Sequence, residues 1–166
     1  MDSVGKIASI FLVVLLLFLA PLLLMEERKD LMLENYVLAK TDYLVEHIRS
    51  NGYLSPRMYQ QYQQELNGTG MIYKIEMEHE KAVYYPEEQS ERLIKHYKNI
   101  YEDDILFTVL EQNRTYQMGR GDFFFMKVTS KSKSMASKLR SYFFISKSEL
   151  PAIQVELGGR IRDEIS

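Results

Sequence analysis

The sequence predicts an α+β protein in which an N-terminal transmembrane helix continues into a long amphipathic helix that packs on a small, mainly antiparallel sheet of three or four strands. Three observations lead to this fold class: an uncharged apolar run, a helical period directly after it, and later segments in which apolar and polar residues alternate. The 166 residues accordingly divide in two. Residues 1–30 form the short N-terminus and the transmembrane helix, and residues 31–166 form an extracytoplasmic α+β domain that includes the helical extension 31–51.

The apolar run extends from Ile7 to Met25 and reads IASIFLVVLLLFLAPLLLM. At about 1.5 Å per residue it is long enough to cross the roughly 30 Å hydrocarbon core of a bilayer. A cleaved signal peptide has a shorter apolar core, followed by a small-x-small site. Because Ala20-Pro21 is the one hint of such a site, the run favours a retained anchor over a signal. We expect the N-terminus to be cytoplasmic, since its few residues cannot form an external domain.

The helical period continues after EERKD, in the segment LMLENYVLAKTDYLVEHIRSNG. Leu33, Val37, Leu44 and Ile48 are spaced four, seven and four residues apart, which places them on one side of a helix. We expect this stripe to pack the helix on its own domain or on a neighbouring subunit, with Gly52 after the helix end. One continuous helix of about 45 residues is the simpler interpretation, and an anchor with a break at EERKD is the alternative.

The next segments predict a short helix and a half-buried strand. Ser55-Pro56 is typical of a helix start, and RMYQQYQQEL ends at Asn67-Gly68. The buried side of this helix is predicted to consist of Met58, Tyr59, Tyr62 and Leu66. MIYKIEME alternates in the manner of a strand, and AVYYP is predicted to be a short second strand.

The second half of the chain is predicted to contain two further helices and two further strands. The helices are expected over residues 87–101 and 103–112, although ILFTVL in the second also fits a strand. A turn at residues 119–122 leads into the aromatic strand FFFMKVT. Residues 132–140 fit either a short helix or a basic loop, and AIQVEL is predicted to be the last strand, closed by Gly158-Gly159.

Charge is segregated along the chain although the formal net charge is only -2. Residues 76–91 are acidic and residues 127–147 are basic, so the blocks suit a contact within the chain or between chains. The residues that we expect to make such an electrostatic contact are Glu76, Glu78, Glu80, Lys131, Lys133 and Lys138. The overall balance argues against a nucleic-acid partner.

The sequence contains no motif that carries catalysis or cofactor binding. Cysteine is absent, and His47, His79 and His96 lack metal-ligand spacing. No glycine-rich phosphate loop, nucleophile elbow or HExxH occurs. We therefore predict no enzyme, no cofactor and no metal site. Glu76, Glu78 and Glu80 are interpreted as a solvated strand face rather than a cation site, and the tripeptide at 120–122 is interpreted as a turn rather than an adhesion motif.

Three short stretches follow the apolar helix in a distinctive order: HIRSNGYLSPRMYQQYQQELNGTGMIYKIEMEHE, then GRGDFFFMKVTSKS, then IQVELGGRIRDE. Taken together they resemble the minor pilin-like proteins, or pseudopilins, of the tight-adherence (Tad-type) pilus and related secretion machinery of Gram-positive bacteria. The resemblance covers nearly the whole chain as a pattern of short motifs. It implies a helix that stays in the membrane and can join the helical core of a filament, with a pilin-like α+β domain outside.

The resemblance also indicates a candidate processing site between Gly5 and Lys6. Type IV prepilins are usually cleaved after a glycine and carry a glutamate five residues into the mature helix. No glutamate occurs in the apolar run of this chain. This departure favours a membrane-resident accessory or initiating subunit over a subunit of the filament core.

The sequence therefore predicts a single-pass membrane subunit that acts through contacts with other pilin-like or secretion-machinery subunits. It would form a homo- or hetero-oligomer and would also contact the lipid bilayer. The first alternative is a membrane-anchored sensor or ligand-binding module with a tyrosine-rich surface. A secreted domain released by signal cleavage is the second alternative.

Overall fold

The computed structural model describes residues 3–86, 93–132, 138 and 153–162. Its first element, α1, is one uninterrupted helix of 49 residues, Ser3–Asn51, with Pro21 inside it. The prediction of a continuous helix is therefore confirmed, and the break at EERKD is absent. By length and composition α1 can cross a membrane, and no part of the domain covers its most apolar stretch. Gly52 follows the helix, and its N–H donates to the Ile48 carbonyl at 2.8 Å.

The second helix, α2 (Pro56–Asn67), runs back along the C-terminal half of α1. Ser55 caps it as predicted, because its Oγ accepts from the Met58 N–H at 3.3 Å. Further along, the hydroxyls of Tyr62 and Thr41 lie 2.7 Å apart. Lys40 Nζ is 3.2 Å from Glu65 Oε1. These contacts fix α2 antiparallel to α1.

A four-stranded antiparallel sheet has the order β3-β2-β5-β6. The strands, in chain order, are β1 (Tyr53–Leu54), β2 (Tyr73–Pro86), β3 (Leu93–Tyr101), β4 (Tyr116–Gln117), β5 (Phe123–Ser130) and β6 (Gln154–Arg160). The two shortest, β1 and β4, pair with each other in a separate small sheet that the sequence did not predict. Between β3 and β4 the chain forms α3 (Glu102–Leu106) and then one π-helical turn, Phe107–Glu111. The helix predicted at 103–112 is thus present in a mixed form.

The core lies between the inner face of the sheet and α1, with α2 and α3 closing its side. Alternate residues of β5 point into it, as FFFMKVT predicts. Its fully buried members include Val37, Ile48, Leu54, Tyr62, Ile105, Phe124, Met126 and Ile153. All of them belong to one continuous cluster. The sheet and the C-terminal half of α1 therefore form one structural unit.

The helix predicted over residues 87–101 is wrong. Residues 93–101 form β3, which pairs with β2 without interruption from Glu78↔Tyr101 to Pro86↔Leu93. The spacing of Leu93, Tyr97 and Ile100 fits a helix, but the segment is also rich in residues that favour strands. Pairing with the long neighbouring strand decides between the two patterns. Residues 87–92 of that prediction lie outside the described residues.

Two strand boundaries also differ from prediction. AVYYP is not a separate strand, because β2 runs through it to Pro86. Gly158-Gly159 does not close the last strand, since β6 continues to Arg160. At Gly158 a Cβ would lie 2.4 Å from the ring of Phe125, so the glycine leaves room for that ring to lie over β6. The segment 132–140 and Pro151 lie almost wholly outside the described residues.

The register of strand pairing fixes the position of each strand along the axis of α1. Thr69, just after α2, donates to the Tyr73 hydroxyl at 3.1 Å, so β2 begins close to the C-terminal end of α2. At the other end Glu80 pairs with Phe123 and Phe123 with Arg160. The Arg160 carbonyl accepts from Arg49 Nε at 3.2 Å, near the end of α1. Residues 81–86 and 93–98 extend beyond this level as a two-stranded hairpin, which we call the hairpin arm.

Arg162, the last described residue, is fixed to the same end of α1. The Arg162 N–H donates to the Arg49 carbonyl at 2.7 Å. Its side chain donates to Glu46 Oε2 at 2.5 Å and to Ser50 Oγ at 3.1 Å. Arg49 also pairs with Glu46. We call this set of contacts the arginine latch.

Replacing Ile48 with Ala should lower the free energy of unfolding by about 2–5 kcal/mol, because the fully buried side chain leaves a cavity between α1 and the sheet. Urea denaturation of the full chain in detergent, followed by near-UV circular dichroism of the tyrosines, measures the loss. Leu38→Ala on the same helix is the control, since Leu38 is 42% exposed and its loss should stay within about 0.5 kcal/mol. Equal losses in the two variants would contradict the packing described.

Candidate interaction surfaces

The predicted stripe on α1 lies inside the domain. Val37, Leu44 and Ile48 are buried in the core, and Leu33 is partly buried against it. The structure therefore places these four side chains on the helix face that packs on its own sheet. They are not available to a neighbouring subunit.

A second apolar stripe lies on a different face of α1 and remains exposed. Met32, Tyr36 and Tyr43, which we call the outer stripe, are 70%, 40% and 69% exposed. Their spacing of four and seven residues keeps them on one side of the helix. Sequence reasoning assigned the apolar periodicity to a single face and missed this one. The signal was present, since these residues have the same four-and-seven spacing as the predicted stripe.

A shallow groove between α1 and α2 borders the outer stripe. Lys40, Tyr43, His47, Met58 and Glu65 are among its lining residues. The Lys40 ammonium lies 5.7 Å from the centre of the Tyr36 ring while pairing with Glu65. The apolar stripe thus has a polar rim on one side, an arrangement common in protein–protein contacts.

The predicted acidic residues share the outer face of β2, and two of them already have partners within the chain. Lys74 Nζ lies 2.5 Å from Glu76 Oε1, and this bond holds the pKa of the Glu76 carboxyl below its usual value. Asn99 Nδ2 donates to Glu78 Oε1 at 2.7 Å. Glu80 follows on the same face, opposite Phe123.

The basic residues of the prediction are less fully described. Lys131 is exposed, and its N–H donates to the Ile72 carbonyl at 2.7 Å. Lys138 is exposed, whereas Lys133 lies outside the described residues. Lys127, from the same basic block, lies opposite both Glu76 and Glu156 in the sheet. Some of the opposite charge that we expected to meet within the chain or between chains therefore meets within one sheet.

The candidate processing site lies in the first turns of α1. Gly5 and Lys6 are both exposed and helical. Ser9 Oγ donates to the Gly5 carbonyl at 2.8 Å, so the helix is already hydrogen-bonded at this point.

A buried polar cluster that sequence reasoning did not predict joins three distant parts of the domain. His79 on β2 and Asp122 before β5 are 1% and 3% exposed, and His79 Nε2 is 2.9 Å from Asp122 Oδ2. The Tyr116 hydroxyl on β4 lies 2.8 Å from His79 Nδ1. Asp122 also accepts from the N–H groups of Ala82 at 2.8 Å and Gly119 at 2.7 Å. Three contacts therefore hold the carboxylate, two to residues of β2 and one to the turn before β5.

This cluster has a structural role. It fixes β4 and the turn at 119–122 to the middle of the sheet. Because Asp122 is buried and fully engaged, the tripeptide at 120–122 does not present its carboxylate to a receptor. Burial, with the nearby carboxylates of Asp104 and Asp122, raises the pKa of Tyr116 to about 12.

Within the described residues no group of three or more His, Asp or Glu side chains could hold a metal ion. Comparison with known protein families, with curated proteins and with solved structures gives no match.

Asp122→Asn should lower the free energy of unfolding by about 1–3 kcal/mol. The amide NH₂ of asparagine would face a backbone N–H or the imidazole N–H, so one buried donor would lose its acceptor. Thermal or urea unfolding measures the loss, and Asp103→Asn at an exposed site makes the same change as a control. A loss no greater than that of the control would contradict the buried network.

The free energy of unfolding should fall as the pH rises from 10 to 12. An unfolded tyrosine ionises near pH 10, whereas burial raises the folded pKa of both Tyr62 and Tyr116 to about 12. Stabilisation by the two neutral hydroxyls is therefore complete below pH 10 and is lost as the pH approaches and passes 12. Urea titrations at stepped pH measure the slope, which should become shallower in the double variant Tyr62→Phe/Tyr116→Phe. An unchanged slope in that variant would overturn this assignment.

Proposed function

We propose that this chain is a single-pass membrane subunit of a pilus-like or secretion assembly and that it acts through contacts with other subunits rather than through chemistry. The single observation that carries the proposal is the outer stripe. It is apolar and aromatic, it is uncovered, and it lies on the helix that continues from the apolar run.

The outer stripe favours a protein contact because its residues lie outside the apolar run, where water would otherwise surround them. Burying a Met or Tyr side chain gains about 1.5–3 kcal/mol, and three such residues on one helix face provide the anchor of a helix–helix contact. In the lipid region, by contrast, leucine-rich helices gain little from meeting one another. Specific assembly would therefore depend on the extramembrane half of α1.

The continuity of α1 adds a geometric argument. The apolar run and the outer stripe lie on one helix, so a partner bound at the stripe is held at a set height above the bilayer. The domain is fixed to the same helix by Val37 and Ile48, and it would be held with it. Such an arrangement suits a subunit that must be held at a fixed position and orientation within an assembly.

We further propose that the N-terminus is cytoplasmic and that the α+β domain lies outside. The resemblance to Tad-type minor pilins points the same way. The missing glutamate in the apolar run favours an accessory or initiating subunit that remains in the membrane.

Tyr43→Glu should reduce recovery of partner subunits about tenfold or more, because it places a charge in an apolar contact. Co-purification from the membranes of the native host, with a photo-crosslinker at position 43 in parallel, measures the effect. Tyr101→Glu is the matched control, since Tyr101 is 60% exposed but lies on the sheet. Equal recovery from the two variants, or stronger crosslinks from position 101, would remove the outer stripe from the proposal.

A further inference from the structure

Two cations converge on the end of the outer sheet face, at the base of the hairpin arm. Gly121 precedes β5 in a left-handed conformation, with φ of +93°. The point where a Cβ of this residue would lie is 3.4 Å from Arg160 Nη2 and 4.0 Å from Lys95 Nζ. The absence of a side chain at Gly121 therefore lets a guanidinium and an ammonium approach the same small volume from two different strands.

Neither cation is neutralised by the part of the chain that the structure describes. No carboxylate of the described residues lies within salt-bridge distance of Arg160 or Lys95. The nearest acidic position in the register, Glu80, is separated from Arg160 by Phe123. Two like charges held close together repel each other, and a bound anion would relieve that repulsion.

Aromatic rings hold the lysine and form one wall of the site. Lys95 Nζ lies 4.8 Å from the centre of the Tyr97 ring and 6.0 Å from that of Tyr84. Tyr97 in turn meets Phe123 edge to face at 5.5 Å. The ammonium is therefore positioned by cation–π contacts instead of by an acid, which leaves its charge available.

We propose that Arg160 and Lys95 form a binding site for the phosphate group of a phosphorylated ligand. A guanidinium offers two parallel N–H donors and an ammonium offers a compact charge, and together they match the oxygens and the negative charge of a phosphate ester. The exposed rings of Tyr84 and Tyr97 provide an apolar surface for the group that carries the phosphate. This site goes beyond the proposed assembly function and does not depend on the outer stripe.

The position of the site indicates whether the phosphate belongs to a membrane lipid or to a soluble ligand. Arg160 lies level with Arg49, and the helix from the end of the apolar run to Arg49 is about 36 Å long. A phospholipid headgroup of the bilayer that holds α1 would be well below this level. The ligand is therefore a soluble phosphorylated molecule or polymer rather than a membrane lipid.

Titration calorimetry with inorganic tripolyphosphate, on the full chain in nanodiscs of zwitterionic lipid, tests the proposal. We expect saturable binding to the natural chain and a loss of affinity of about tenfold in Arg160→Gln and in Lys95→Gln. Lys74→Gln is the matched control, because it removes the same charge from the same sheet at a lysine that already pairs with Glu76. Arg160→Lys should retain more affinity than Arg160→Gln, and the unfolding temperature of each variant checks that it folds.

Three results would overturn the site. The first is no saturable binding by the natural chain, and the second is an equal loss in Lys74→Gln, which would indicate only net charge. The third is binding to vesicles of anionic phospholipid without binding to tripolyphosphate, which would assign the cations to a membrane surface. Because no partner subunit enters this experiment, its failure leaves the proposed assembly function to its own test.

Discussion

The burial of one face of α1 against the sheet is the contact on which the rest of the domain depends. An isolated four-stranded sheet exposes an apolar face, and an isolated amphipathic helix exposes an apolar stripe. Here each covers the other, with Val37 and Ile48 on the helix and Phe124 and Met126 on β5 at the centre. The same helix carries the apolar run, so the packing that stabilises the domain also sets its position relative to any membrane that the run enters.

Polar contacts then fix the relative positions of the strands and turns, which apolar packing alone leaves adjustable. The cluster of His79, Asp122 and Tyr116 joins the middle strand to the turn before β5 and to the small β1–β4 sheet. Apolar contacts alone tolerate sliding, whereas a buried carboxylate with three donor contacts, two from β2 and one from the turn at Gly119, specifies one arrangement. The disadvantage of this buried network is that each donor must remain in place. The residues that tolerate substitution least therefore lie at the centre of the domain, and the more adaptable aromatic and charged residues lie at its surface.

Elements with one dominant local pattern could be predicted from the sequence, and elements decided by pairing could not. The helix α2 has a cap, a period and an end signal within a few residues, and β5 alternates throughout, so both were placed correctly. Residues 93–101 fit both a helix pattern and a strand pattern, and pairing with β2 decides in favour of the strand. The buried cluster and the two cations at Gly121 are harder still. Asp122 is 43 positions from His79, and Arg160 is farther still from Lys95, so neither set can be found without the register of the sheet.

The arginine latch bears on how the molecule would respond to force. β6 runs alongside α1 in the same direction, and Arg49 and Arg162 join the two near their ends through several hydrogen bonds. A pull on α1 along its axis would load these bonds and the core contacts in shear, all at once, instead of peeling them apart one by one. Structures loaded in shear resist extension far better than structures that unzip. A chain built this way would carry such a load from α1 to the hairpin arm without first coming apart.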